Sequence, residues 1–115
     1  MTILLVTSDL ACVANVSGAA KRAGHELRTA MSVAAMDDKL ADARLVILDL
    51  NLGGLNLVEL VPWLRSRLPA GAAIWAFGPH VHESKLADAS AAGCERVLAR
   101  GQFYARLDAL LAEFE

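Results

Sequence analysis

The residues of this sequence that could do chemistry follow short apolar runs. Asp49 comes directly after Val46–Leu48, and Thr7 and Ser8 follow the run that ends at Val6. An aspartate at the end of a buried segment can serve as a nucleophile, a metal ligand or a loop cap. The Thr7 and Ser8 hydroxyls do not form a nucleophilic dyad with a histidine, because the sequence places no histidine base beside them. The elements that position Asp49 therefore decide its role.

Apolar runs alternate with helical patterns along the whole chain. The predicted strands are 3–6, 26–31, 43–50, 72–77 and 95–99, and the predicted helices are 10–23, 32–41, 57–68, 83–93 and 101–115. Strict alternation predicts one α/β domain, residues 1–115, with a doubly wound parallel sheet. We expect five strands in the flavodoxin-like order 2-1-3-4-5, with helices on both faces of the sheet.

Capping and breaking residues mark the predicted helix ends. Asp9 or Ser8 is suited to begin the first helix, Gly24 to end it, and Ser32 to begin the second. Pro62 is tolerated only in the first turn of a helix, so the third helix is expected to start near residues 58–61 or to be kinked. The closing helix places its apolar residues on one side: Phe103, Leu107, Leu110, Leu111 and Phe114.

Composition narrows the functional classes. The 115 residues are 56% apolar and carry a formal net charge of −2, with no basic tract, which argues against nucleic-acid binding. No signal-peptide pattern and no apolar run of membrane length is present, so we expect a cytoplasmic protein. Cys12 and Cys94 are far apart and are expected to be reduced, partly buried thiols.

The carboxyl ends of the strands should form a crevice where the strand order reverses. The residues that follow the first and third strands, Thr7 and Ser8 on one side and Asp49 on the other, are neighbours there. The remaining residues expected at this edge are Asp9, Asn51, Gly78, Pro79, His80, Arg100 and Gly101.

Over essentially the whole chain, the sequence resembles the receiver domain of bacterial two-component response regulators. The resemblance rests on "ILLV", "AGHEL", "LVILDLNLGGLN", "AAGCERVLAR" and the closing helix. It implies a signalling module that is not an enzyme, with Asp49 at the phospho-acceptor position. It also places Asn51 where a backbone carbonyl helps to hold magnesium in the family.

The departures from the family pattern lie around Asp49. Thr7 and Ser8 occupy the positions of the two acidic residues that hold magnesium in receivers, and Asp9 matches the position after them, which does not face the metal. Gly78 replaces the switch hydroxyl, and Arg100 replaces the lysine. Val97 and Gly101 replace an aromatic residue and a proline. Because magnesium prefers several oxygen ligands with carboxylates among them, we expect it to bind weakly or not at all.

The sequence leaves two roles open for Asp49. It could accept a phosphoryl group, or it could be an inherited carboxylate that pairs with Arg100 or caps loop amides. The first role predicts a working phospho-receiver, in which Arg100 could contact the phosphate. The second predicts a degenerate receiver, or pseudo-receiver, that works by contact with other proteins. We favour the second, because the acids, the hydroxyl, the lysine and the aromatic residue are all changed.

The resemblance also predicts where partners bind. In the family the fourth helix, the fifth strand and the fifth helix form the usual face for a kinase, an output domain or a second copy, and here that face spans about residues 84–114. A small enzyme or cofactor binder is a third hypothesis, although no glycine-rich dinucleotide loop follows the first strand. Trp63, if exposed, would indicate a partner surface.

The histidines carry the least specific signals. His80 and His82 could form half of a metal site, but two histidines without a third ligand are more typical of a polar loop. His25 lies in a predicted turn and is expected to be solvated.

Overall fold

The computed structural model describes residues 1–114, and its strands and helices alternate as predicted. The strands are β1 Thr2–Val6, β2 Glu26–Ala30, β3 Leu45–Asp49, β4 Ala73–Gly78 and β5 Arg96–Ala99. The helices are α1 Leu10–Arg22, α2 Leu57–Arg67, α3 Glu83–Ala91 and α4 Arg100–Glu113, with a 3-10 helix, Ala34–Lys39, between β2 and β3. The predicted end of the closing helix, Glu115, lies outside the described residues.

The sheet confirms the predicted topology. Its five strands are parallel and lie in the order β2-β1-β3-β4-β5. β3 is buried along its whole length, as a central strand covered on both faces should be. Its register sets Leu48 beside Val6 and Asp49 beside Phe77, so Asp49 ends the strand at the predicted edge of the sheet.

Alternate residues of each strand enter two separate hydrophobic cores. One core contains Val46 and Leu48 and packs under the 3-10 helix, α2 and α3. The other contains Leu45 and Ile47 and packs under α1 and α4. Asp49 continues the second series, so its side chain is directed to the α1–α4 side of the sheet.

The helix ends follow the sequence signals in part. Asp9 begins α1 by accepting hydrogen bonds from the amides of Ala11 and Cys12, at 2.9 and 3.4 Å. Gly24 follows α1 with a φ of 80°, which favours glycine. The predicted second helix is instead a short 3-10 helix, in which the Ser32 hydroxyl accepts from the amide of Ala35 at 3.2 Å.

α2 begins at Leu57, where the predicted range 57–68 begins. The expected late start near residues 58–61 is therefore not observed, and Pro62 lies inside the helix. Pro62 has no N–H to donate to the carbonyl of Val58. The Val58 side chain is 79% exposed, so water reaches this turn of the helix. Solvation of the first turns is why an interior proline is tolerated here.

No helix within residues 1–114 is both long enough and apolar enough to cross a membrane.

Candidate functional site

The centre of the candidate site is a buried hydrogen bond between Asp49 and Thr7. The Thr7 hydroxyl donates to Asp49 Oδ2 at 2.7 Å, and the backbone N–H of Asn51 donates to Asp49 Oδ1 at 2.9 Å. Asp49 is 4% exposed and Thr7 is fully buried. Both carboxylate oxygens therefore have a donor from the protein itself.

The backbone after β1 fixes Thr7 in this orientation. The N–H of Asp9 donates to Thr7 Oγ1 at 3.1 Å, and the N–H of Thr7 donates to the carbonyl of Ala30 at 3.0 Å. With an amide donating to its oxygen, the hydroxyl is free to direct its own proton to Asp49. The same residues that begin α1 thus hold the donor of Asp49.

The other residues predicted after β1 do not reach Asp49. The Asp9 carboxylate is turned to the amides of Ala11 and Cys12 in the first turn of α1. Ser8 is exposed. Asp49 is therefore joined by two uncharged donors, Thr7 and Asn51, rather than by a second carboxylate.

Arg100 lies at the carboxyl end of β5, as the first residue of α4, and does not pair with Asp49. It is absent from the ion pairs formed among residues 1–114. Its buried Nε has no hydrogen-bond partner in that part of the chain. Of the two structural alternatives for Asp49, the loop cap is formed through the amide of Asn51, and the ion pair with Arg100 is not.

Gly78 ends β4 and is buried at the same edge of the sheet. A Cβ at this position would lie 3.1 Å from Leu50 Cβ, which is closer than side chains normally approach. The space that a side chain at position 78 would occupy is therefore partly filled by Leu50. Pro79 and exposed His80 follow in the loop, and Gly101 is exposed in α4.

Cys12, which lies near Asp49, and Tyr104, which lies beside Cys12, were not predicted as part of the site. Cys12 is fully buried, and burial is the main cause that raises the pKa of its thiol; the polar neighbours Tyr104 and Thr7 oppose the shift, and the charge of Asp49 adds to it. Burial also raises the pKa of the Tyr104 hydroxyl, with the Cys12 contact as the next cause. Both groups are protonated at neutral pH, so neither is an activated nucleophile.

An available signal could have found Cys12. Asp9 was predicted to begin α1, and a residue three positions later lies on the same side of the first turn. Cys12 was therefore within reach of the crevice. Tyr104 carried no comparable signal, because its contact depends on how α4 packs against α1.

The histidines lie in different surroundings from those that a metal site would need. His80 is exposed and His82 is half-buried at the start of α3. No group of three or more His, Cys, Asp or Glu side chains within residues 1–114 is arranged to hold a metal ion. His25 is not solvated as predicted: its Nε2 lies 2.8 Å from the carbonyl oxygen of Leu111, and its ring packs edge-on against Phe114.

Comparison with solved structures identifies the fold. A response regulator from Burkholderia pseudomallei, described with a phosphorylated aspartic acid, a calcium ion and citrate, matches over 99% of this chain at a TM-score of 0.79 and 18% identity. The signal receiver domain of a response regulator from Bermanella marisrubri matches over 98% at a TM-score of 0.81 and 22% identity. Full-length FixJ from B. japonicum matches over 96% at a TM-score of 0.78 and 19% identity.

The extent of these matches defines a class of fold. The chain spans 66% of the Burkholderia protein, 96% of the Bermanella receiver domain and 55% of FixJ. Its fold is that of response-regulator receiver domains. No model of a known protein family matches the sequence, and no curated protein matches it significantly.

Proposed function

We propose that this chain is a degenerate receiver module of the two-component type. In this proposal it works by contact with other proteins and undergoes little or no magnesium-dependent phosphorylation. The observation that carries the proposal is the occupation of both Asp49 oxygens by Thr7 and Asn51. A carboxylate that accepts two hydrogen bonds and is 4% exposed is a poor nucleophile and a poorly accessible one.

The donor set around Asp49 does not fit a resident magnesium ion. Magnesium requires near-octahedral oxygen ligands, and carboxylates supply most of the protein's share. Here the neighbouring hydroxyl of Thr7 is already directed at Asp49, and the Asp9 carboxylate binds helix amides instead. Phosphoryl transfer to an aspartate depends on positioning and charge neutralisation, and these residues supply little of either.

The partner face in this proposal consists of α3, β5 and α4, within residues 84–114. β5 is an edge strand, and each of its four residues is partly exposed. Most of α3 is exposed as well, with only Ala89 buried. The partner would be a sensor kinase, an output domain or a second copy of the chain.

Intact-mass measurement after incubation with acetyl phosphate and magnesium tests the chemistry. We expect no phosphate-sized adduct on the natural chain. An adduct that disappears in Asp49→Asn would contradict the proposal and favour the alternative, a functional phospho-receiver. That alternative draws on the Burkholderia structure, whose fold is the same and which carries a phosphorylated aspartic acid.

A variant that restores the missing acids provides the matched comparison. Thr7→Asp combined with Ser8→Asp removes the donor from Asp49, places one carboxylate beside it and adds a second at the exposed neighbouring position. Because a ligand stabilises the state that binds it, magnesium should raise the melting temperature of this variant and leave that of the natural chain unchanged. An equal rise in both proteins would show that Thr7 and Ser8 do not prevent metal binding.

A further inference from the structure

A groove runs between the 3-10 helix and α2, on the opposite face of the sheet from Asp49. Its volume is about 650 Å³, which lies within the range of small-molecule sites. Val33 and Ala34 line one wall, and Leu60 and Trp63 line the other. The half-buried Trp63 thus borders an open cavity rather than projecting into solvent. Its apolar walls are suited to a ring or a branched alkyl group.

One end of the groove is fixed by a charged pair. Arg67 Nη1 lies 2.6 Å from Asp37 Oδ1 and joins α2 to the 3-10 helix. The Arg67 guanidinium carbon also lies 5.1 Å from the centroid of the Trp63 ring. These contacts hold the indole in place, and the two charges neutralise each other.

Glu59 supplies the remaining charge of the groove. It lies one helical turn before Trp63 on α2 and lines the same cavity. Glu59 is exposed and forms no ion pair within the part of the chain that the structure describes. The groove therefore combines apolar walls with one unpaired carboxylate, and its electrostatic complement is a cation.

We propose that this groove binds a small organic cation with an apolar, ring-containing body. The ring packs between Val33 and Trp63, and the positive group faces Glu59. The volume and the charge balance favour this occupant. The proposal is independent of Asp49 and of receiver chemistry, because the groove lies on the other face of the sheet.

Three probes of similar shape and different charge test the proposal by amide NMR. Phenethylamine is cationic at neutral pH, phenethyl alcohol is neutral, and phenylacetate is anionic. Phenethylamine should shift the amides of Val33, Ala34, Gly54 and Leu60 at millimolar concentration. It should bind about threefold more tightly than the alcohol, since a solvent-exposed ion pair is worth a factor of this size. Phenylacetate should bind most weakly.

Glu59→Gln isolates the charge effect. The variant should bind phenethylamine and phenethyl alcohol equally, while Glu83→Gln, which removes an exposed carboxylate from α3, should keep the threefold preference. Asp49→Asn should also keep the threefold preference for phenethylamine. A failure of the groove proposal is therefore distinguishable from a failure of the receiver proposal.

Several results would overturn the inference. One is equal binding of all three probes by the natural chain, and another is amide shifts confined to residues outside the groove. Shifts of the groove amides on dilution, without any probe, would mean that a second copy of the chain occupies the groove instead.

Discussion

The carboxylates at the two ends of the parallel strands have opposite surroundings. We call the end where the strands finish the carboxyl edge and the end where they begin the amino edge. At the carboxyl edge, Asp49 is buried and receives hydrogen bonds from Thr7 and Asn51, neither of which is charged. At the amino edge, Glu95 forms an ion pair with Arg65 and accepts a hydrogen bond from the amide of Ile74 at 2.7 Å.

The amino-edge cluster is a structural clamp. Arg65 extends from the end of α2 and also donates to the carbonyls of Ala72 and Gly93, at 3.0 and 2.9 Å. It thereby ties α2 to the residues that precede β4 and β5. At the amino edge the charges of Arg65 and Glu95 neutralise each other, and the pair joins α2 to the residues before β4 and β5. Among residues 1–114 Asp49 has no such counter-charge, and its hydrogen bonds join β3 to the residue after β1 and to the loop after β3.

The largest expected effect is that of Thr7→Val. The substitution keeps the shape of the side chain and removes the donor to Asp49 Oδ2. Because it leaves a buried carboxylate oxygen without its hydroxyl donor, we expect a loss of about 2 kcal/mol in the free energy of unfolding. Urea unfolding measures this loss.

Thr29→Val is the matched control for Thr7→Val. Thr29 is half-buried on β2, and its hydroxyl forms no side-chain hydrogen bond within residues 1–114, so its loss should change stability little. Thr7→Val also removes the acceptor of the Asp9 N–H, and that loss is the same in both backgrounds. In an Asp49→Asn background the cost of Thr7→Val should therefore fall to about 1 kcal/mol, because the bond lost to residue 49 is then to a neutral group. Equal costs in both backgrounds would mean that the Thr7–Asp49 bond is not the cause.

A smaller effect is expected at the amino edge. Glu95→Ala removes the side-chain acceptor of the Ile74 amide and the partner of Arg65, and should cost about 1 kcal/mol. Glu95→Gln keeps an acceptor oxygen and loses only a partly exposed ion pair, so it should cost about 0.5 kcal/mol or less. Added salt should shrink the Glu95→Gln effect by screening the pair. A Glu95→Gln loss as large as that of Glu95→Ala would show that the charge dominates this edge.

The fold could be predicted from the sequence because hydrophobic periodicity is carried by whole segments rather than by single residues. Five apolar runs alternating with helical patterns predicted a doubly wound parallel sheet, the flavodoxin-like order expected for it is confirmed, and Asp9 and Gly24 marked the ends of α1 correctly. The 3-10 helix between β2 and β3 was harder to predict, because its form depends on how Met36 and Leu40 pack into the core. The helix range 57–68 was predicted, but the late start inferred from Pro62 was wrong, because burial of Leu57 and Leu60 outweighs the local cost of the proline.

The candidate site was predicted in position but not in its bonding. Strand order brought Thr7 and Asp49 together, yet whether Asp49 would bond to Arg100 or to Thr7 depends on side-chain directions that the sequence does not encode locally. His25 shows the same limit. Its turn position indicated solvent, but the end of α4 covers it with Leu111 and Phe114.

The smallest expected effect concerns Gly78, which faces Leu50 at the carboxyl edge. Gly78→Ser adds a hydroxyl at the position that the sequence resemblance aligns with the switch residue of receivers. Its Cβ would lie 3.1 Å from Leu50 Cβ, so Leu50 must shift slightly. Crowding of this kind costs about 1 kcal/mol, while replacing glycine returns about 0.5 kcal/mol by restricting the unfolded chain. The net loss in urea unfolding should be about 0.5 kcal/mol. Gly53→Ser, where a Cβ meets nothing within 4 Å, should show no loss. If Gly78→Ser and Gly53→Ser were equally stable, Leu50 would move aside without a loss of stability. Packing against Leu50 would then not explain why position 78 lacks a side chain.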